Sequence, residues 1–202
     1  LELIRYEWEN FLNGKEVDLN HVRKEIFQSW KRSRSYGVNP YLNTENLLLN
    51  ENQLNKKLKN NKHLIDTTLP FMDILYKSVE DSGFIVILVD SEGYVLKMLG
   101  DSEVLKSAEK SLLVPGANRA EPLAGTNGIS LALTLQKPIQ VVGPEHYNKL
   151  FQSWTCTSAP IRNVNGDIIG ALDLSGSYNL LHKHTLGMVV SIVQAIEKQL
   201  LL

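Results

Sequence analysis

Phe84-Ile85-Val86-Ile87-Leu88-Val89 is apolar at every position, and Asp90-Ser91-Glu92-Gly93 and then Tyr94 to Leu99 follow it. A strand with one wet face alternates apolar and polar residues. A run with no alternation suits a strand covered on both sides of its sheet. The acid- and glycine-bearing tetrapeptide reads as a turn, and Tyr94 to Leu99 as the returning strand of a hairpin. The helical period of the preceding residues stops at Gly83, so this hairpin separates a helical first part from a mixed second part.

Upstream, Leu1, Ile4, Trp8 and Phe11 recur at helical spacing up to Asn13-Gly14. Val22, Ile26, Trp30 and Tyr36 form a second stripe, stopped at Gly37 before Pro40. Leu54, Leu58, Ile65, Leu69, Met72, Leu75, Tyr76 and Val79 predict one long helix or two in series, with Pro70 as kink or junction. Downstream, Asp101 to Leu113 reads as a short helix capped by Ser102, and Pro115 to Gly125 as a loop. Asn127 to Gln136 reads as a helix, Ile139 to Val142 as a strand, and His146 to Gln152 as a short helical or irregular crossover. Strands Thr155 to Ile161 and Ile168 to Leu174 flank a turn at Asn163 to Asp167, and a helix runs from His184 to Leu202. This order is α+β. It resembles the PAS/GAF sensor architecture, a central and mostly antiparallel sheet flanked by helices, which takes ligands between sheet and crossing helices. The expected division is a helical region, 1–61, and a sensor domain, 62–202. Leu186, Val189, Val193, Ile196 and Leu200 form a narrow seam on the last helix. That seam suits packing on the chain's own sheet or a parallel dimer helix. Leu200-Leu201-Leu202 reads as a cut end.

The 202 residues are 43 % hydrophobic and 21 % charged, as in folded globular proteins. No apolar run reaches the ~20 residues of a membrane helix. The first residues lack the pattern of a secretory signal. One cysteine, Cys156, excludes an internal disulfide framework. Together these point to the cytoplasm. A net charge of -1 gives no phosphate-neutralising surface. The basic cluster Lys31-Arg32-Ser33-Arg34 reads as a solvated helix face rather than a DNA contact.

His146, Cys156, His182 and His184 are the soft-ligand candidates. Their spacing is not that of a zinc site, and His182 and His184 do not face together on a regular helix. No metal and no cofactor is expected. Cys156 and His146 are chemically competent as a dyad if they meet. A cysteine inside a strand more often acts as a small hydrophobe, so no catalytic residue is assigned. Thr126 or Asn127 caps the following helix, and Gly125 and Gly128 allow tight approach. Asn127 alternatively lies at a pocket mouth. His146 and Tyr147 offer polar tips on apolar bodies, and Trp154 fills the core or a pocket wall. Asp173, an acid in an apolar strand, requires a partner: His146, Arg162 or a backbone amide.

Longer motifs identify a family. Ser29-Trp30-Lys31-Arg32-Ser33 with Gly37-Val38-Asn39-Pro40 opens the pattern. Gly125-Thr126-Asn127-Gly128-Ile129, Glu145-His146-Tyr147, Trp154-Thr155-Cys156, Ala159-Pro160-Ile161 and Leu172-Asp173-Leu174-Ser175-Gly176 continue it. The chain resembles the amino-terminal sensor regions of sigma-54-dependent activators, in the group of acetoin-catabolism and dihydroxyacetone-kinase-operon regulators. That resemblance covers Ser29 to Leu200. It implies a regulatory domain, not an enzyme, that binds a small oxygenated effector such as a ketol, alcohol or aldehyde. Thr126, Asn127, His146, Tyr147, Trp154 and Cys156 are the pocket candidates. It also implies a homodimer that signals through its last helix. DNA and sigma-54 RNA polymerase would be reached only through AAA+ and helix-turn-helix domains outside this sequence. The alternative is a protein-interaction module with a side-chain-filled pocket, which surface changes at Tyr36 or Trp30 would test. The group commonly has a tryptophan before Gly-Thr-Asn-Gly, where this chain reads Gly116-Ala117-Asn118-Arg119-Ala120. Ser130 stands in place of a second glycine, and Cys156-Thr157-Ser158 in place of Cys-Ser-Ala. These departures surround the pocket and bear on ligand identity more than on fold.

Overall fold

The computed structural model describes residues 1–41, 48–182 and 184–201. Its centre is a five-stranded antiparallel sheet, which bears out the α+β expectation. The strands are β1 (Phe84–Asp90), β2 (Val95–Gly100), β3 (Ile139–Val142), β4 (Trp154–Arg162) and β5 (Ile168–Ser177), ordered β2-β1-β5-β4-β3. β1 lies inside the sheet between β2 and β5 and is wholly buried, as its unalternating sequence requires. Register sets which side chains share a face. Ile87 pairs with Asp173, and Asp173 with Ser158. Cys156 pairs with Ser175.

One face is covered by α4 (Lys62–Lys77) and the terminal helix α8 (His184–Gln199). Val86, Leu88, Leu172, Leu174, Ala159 and Ile161 meet Met72, Leu75, Val189, Val193 and Ile196 there. The seam of α8 is therefore used by the chain's own core. The helix stops at Gln199, and Leu200 and Leu201 form a turn, so it ends short of the expected Leu202, which itself lies outside the described residues. Pro70 sits inside α4, and the break between α3 (Glu51–Asn60) and α4 falls instead at Asn61. The Asn61 side chain donates to the Lys57 carbonyl at 2.9 Å and so closes α3. Pro70 faces solvent, where water can satisfy the carbonyl that its missing N–H leaves free.

The other face lies under α5 (Ser102–Lys110), the single turn α6 (Glu121–Ala124), α7 (Gly128–Leu135) and the crossover between β3 and β4. α6 interrupts what reads in sequence as a plain loop. Asp101, not Ser102, is the N-cap residue of α5. It makes no capping bond, and its carboxylate accepts from the Tyr76 hydroxyl at 2.5 Å. The helices α1 (Glu2–Leu12) and α2 (Lys24–Ser35) pack by Trp8, Phe11, Ile26 and Trp30 on Leu131, Ala132, Val141 and Tyr147. Among the described residues no helix is long and apolar enough to cross a membrane.

Candidate functional site

Asn127 begins the site by capping α7. Its Oδ1 accepts from the Ser130 amide at 2.9 Å, and Ser130 Oγ accepts from the Asn127 amide at 3.1 Å. This reciprocal box explains Ser130 at a position where glycine is common. The Asn127 Nδ2 donates to the carbonyls of Arg119 and Gly125, both at 2.9 Å. Its polar atoms thus hold loop to helix. Gly128, the next residue, lets α7 approach β4: a Cβ there would lie 2.7 Å from Cys156 Cβ and 2.8 Å from Ser158 Oγ. Gly125 takes φ of 72°, which disfavours any side chain.

His146 and Cys156 meet on this face. Nε2 of His146 lies 3.2 Å from Cys156 Sγ, and Nδ1 lies 3.0 Å from the Gly143 carbonyl. A carbonyl only accepts, so Nδ1 carries the proton, and Nε2 accepts from the thiol. Burial lowers the imidazole to about 4, against a smaller opposing effect of Gly143. Burial, with Asp173 nearby, pushes the thiol well up. The pair is neutral thiol and neutral imidazole. The thiolate that nucleophilic catalysis requires is the disfavoured state.

Asp173 is fully buried and faces Ser158 and Ser175, whose hydroxyls donate to its two oxygens. These serines, rather than His146, Arg162 or an amide, are its partners. Burial raises its carboxyl to about 6, and the serine bonds only partly offset that. Arg162 instead donates to the Gly166 and Gln136 carbonyls.

Thr126 and Tyr147 point away from this cluster, towards α1 and α2. The Thr126 hydroxyl lies 2.7 Å from Ser29 Oγ, and Ser29 also donates to Glu121. Arg32 grips Glu121 with Nε at 2.6 Å and Nη2 at 2.9 Å. Trp30 donates to the Glu145 carbonyl at 2.8 Å, and Trp8 to the Tyr147 carbonyl at 3.0 Å. Arg23 holds the Glu145 carboxylate bidentately at 2.8 and 2.6 Å. The Ser-Trp-Lys-Arg-Ser stretch is thus a clamp on the two later motifs. This corrects one reading and refines another. Lys31 and Arg34 are exposed, as a solvated face requires, with Arg34 lying on Phe11 at 3.9 Å, whereas Arg32 is turned to Glu121. Trp30 is not a surface residue, being 0 % exposed, whereas Tyr36 is 51 % exposed.

Trp154 is buried in the cluster of Ile85, Ile87, Phe151 and Ile129. It also borders a cleft of about 390 Å³ with Val104, Ser107, Ser177 and Leu180. Sequence reasoning overlooked Arg119, which is 3 % exposed and lies over the Phe151 ring at 4.8 Å. The only hint was its place in the loop that departs from the family. His182 and His184 bring their rings to 4.9 Å, contrary to the regular-helix expectation, because His182 precedes α8. Among the described residues no group of three or more His, Cys, Asp or Glu is placed to hold a metal.

Known proteins resemble this chain in sequence and in fold. A signal-transduction and transcriptional-control protein of Clostridium beijerinckii is 38 % identical over 87 % of this chain and 28 % of its own length. The acetoin dehydrogenase operon transcriptional activator AcoR of Bacillus subtilis is 32 % identical over 96 % of this chain and 32 % of its own. This chain therefore spans about a third of these relatives. DhaR(N), solved in the Escherichia coli DhaR(N)-DhaL complex, superposes with a TM-score of 0.84 at 16 % identity, over 88 % of this chain and 60 % of that one. That likeness shows the fold. The curated relatives are transcriptional regulators, and the chain is a regulatory domain rather than an enzyme. The MimR N-terminal domain family matches residues 4–191, and this chain belongs to it.

Proposed function

We propose that this chain is the cytoplasmic signal-sensing domain of a sigma-54-dependent transcription activator. In this reading it takes a small oxygenated metabolite between β4 and the cover made by α7 and the crossover. One observation carries the reading. Neutral His146 and Cys156 converge on a sheet face that also buries Asp173, Ser158 and Ser175. A core built for packing alone does not need that many polar groups, each of which costs desolvation. His146 and Cys156 are the proposed contacts, with Asn127 and Trp154 beside them, while Thr126 and Tyr147 fasten the cover to α1 and α2. Ligand would bias the position of α8, which leads towards AAA+ and DNA-binding domains beyond this sequence, in a homodimer. An effector can do so only if it prefers one arrangement of the helix. A thermal-shift screen of the purified chain with ketols, alcohols and aldehydes at millimolar concentration tests this. Saturable stabilisation supports it, and none with any compound counts against direct sensing.

A second reading, docking of a partner protein, is favoured by the DhaR(N)-DhaL complex. It would use the cleft of about 550 Å³ lined by Phe11, Val17, Leu19, Phe27 and Lys31. Loss of capture from lysate on changing Leu19 or Tyr36, with thermal stability retained, would support it.

A further inference from the structure

Buried charges in this chain come with partners. Glu121 has Arg32, Glu145 has Arg23, Asp90 has Lys57 and Glu7 has His21. Arg119 is different. It is 3 % exposed, and no described carboxylate lies within ion-pair distance of it. Its Nη2 donates to the Leu112 carbonyl and, at 3.5 Å, to that of Ser111, just past the end of α5. Its Nε is buried with no hydrogen-bond partner. Burial lowers the guanidinium only to about 10, so it stays charged at neutral pH. An ionised group held inside without a counter-ion is strongly unfavourable. Carbonyls and the Phe151 face offset only part of that.

The backbone that carries this side chain is fixed on both sides. The Arg119 amide donates to the Gly93 carbonyl at 2.7 Å, and its own carbonyl accepts from Asn127. The Phe151 ring below it lies 6.4 Å from the His146 ring, which touches Cys156. The charge of Arg119 is felt at the Cys156 thiol. Cys156 sits deep in β4 yet keeps accessible surface, so some space adjoins it. The nearby acid, Asp173, is turned to Ser158 and Ser175.

We propose that Arg119 holds the carboxylate of a small organic acid in this space, through the guanidinium edge that carries Nε. The effector is then a short hydroxy- or oxo-acid rather than a neutral ketol. A carboxylate matches the planar edge of a guanidinium with two parallel hydrogen bonds. One cation balances one negative charge, which favours a monocarboxylate over a phosphate. If the Cys156 thiol turns from His146, it can donate to a keto oxygen and Nε2 can accept from a hydroxyl, while Phe151 meets the carbon chain. This inference rests on the metabolite-sensing reading and narrows it.

The test compares lactate, pyruvate and 3-hydroxybutyrate with lactamide, acetoin and 2,3-butanediol, by thermal shift and calorimetry at matched ionic strength. The acids are expected to raise the Tm saturably, and the neutral compounds to do so weakly or not at all. Arg119→Met should bind the acids roughly tenfold more weakly or worse. Its own Tm without ligand should not fall, because an unbalanced buried charge has been removed. If that variant does not fold, the Nε–Hε resonance of Arg119 in the parent chain gives the answer: acid must shift it. Acids that bind parent and variant equally, or that leave this resonance unmoved, overturn the inference. Neutral compounds binding while acids do not would overturn it and leave metabolite sensing intact. Silence from both sets would overturn metabolite sensing itself, and this inference with it.

Discussion

The two faces of the sheet are built from different materials. Under α4 and α8, the core is apolar: Leu172 and Leu174 meet Met72, Leu75 and Val193. Under α7 and the crossover, the same strands present Cys156, Ser158, Asp173 and Ser175 to His146 and Gly128. The first face gains free energy from every group buried. The second buries a carboxyl, an imidazole and a guanidinium, each at a cost. Both faces bury apolar side chains, Ile85, Ile87, Val89 and Trp154 on the second, but only the second also holds the polar groups of the proposed site.

The largest effect should come from the apolar face. Leu172→Ala removes a side chain that is 0 % exposed, and should cost about 4 kcal/mol in urea unfolding. A cost under about 1 kcal/mol would show that this face is not the main source of stability. The polar face should reveal itself through pH. His146, lowered to about 4, contributes stability that is full above about 6.5 and lost as pH falls towards 4. Asp173, raised to about 6, contributes stability that is full below about 4 and lost as pH rises through 6. The two oppose each other, so the parent profile hides both. Relative to the parent, Asp173→Asn should gain up to about 3 kcal/mol between pH 4 and 7. His146→Gln should gain a similar amount in the opposite direction, as pH falls from 7 to 4. Variant profiles that simply parallel the parent would refute this.

A smaller effect is expected where α7 meets the sheet. Gly128→Ala places a methyl against Cys156 and Ser158, and should cost about 2 kcal/mol. An unchanged urea midpoint would mean that the polar face is loosely packed. The smallest concerns neither face. Lys62 and Asp66 form an exposed ion pair on α4, so Lys62→Ala should cost less than about 0.5 kcal/mol. A larger loss would mean that α4 is not held by its apolar stripe alone.

Much of the fold was legible because local chemistry decides it. The unalternating Phe84–Val89 run, the turn at Asn163–Asp167 and the Asn127 cap all lie where their sequences place them. Misreadings arose where distant residues outvote near ones. Pro70 marks no junction because Leu64, Ile65, Met72 and Leu75 anchor α4 in the core on both sides of it. Asp101 takes the N-cap position but turns its carboxylate to the distant Tyr76 hydroxyl. In the site, the meeting of His146 with Cys156 was a stated option, but the serine partners of Asp173 were not. They depend on strand register, which sequence alone leaves open. The clamp from Arg32 to Glu121 spans 89 positions, and no local pattern announces such a bond.

The indole bonds have an optical consequence. The chain has three tryptophans. Trp30 and Trp8 donate to the carbonyls of Glu145 and Tyr147, on either side of His146, and Trp154 lies two positions before Cys156. Every strong native fluorophore therefore borders the segment that carries the imidazole. A shift of that segment changes the surroundings of all three, so emission colour and quenching report on it without any added dye.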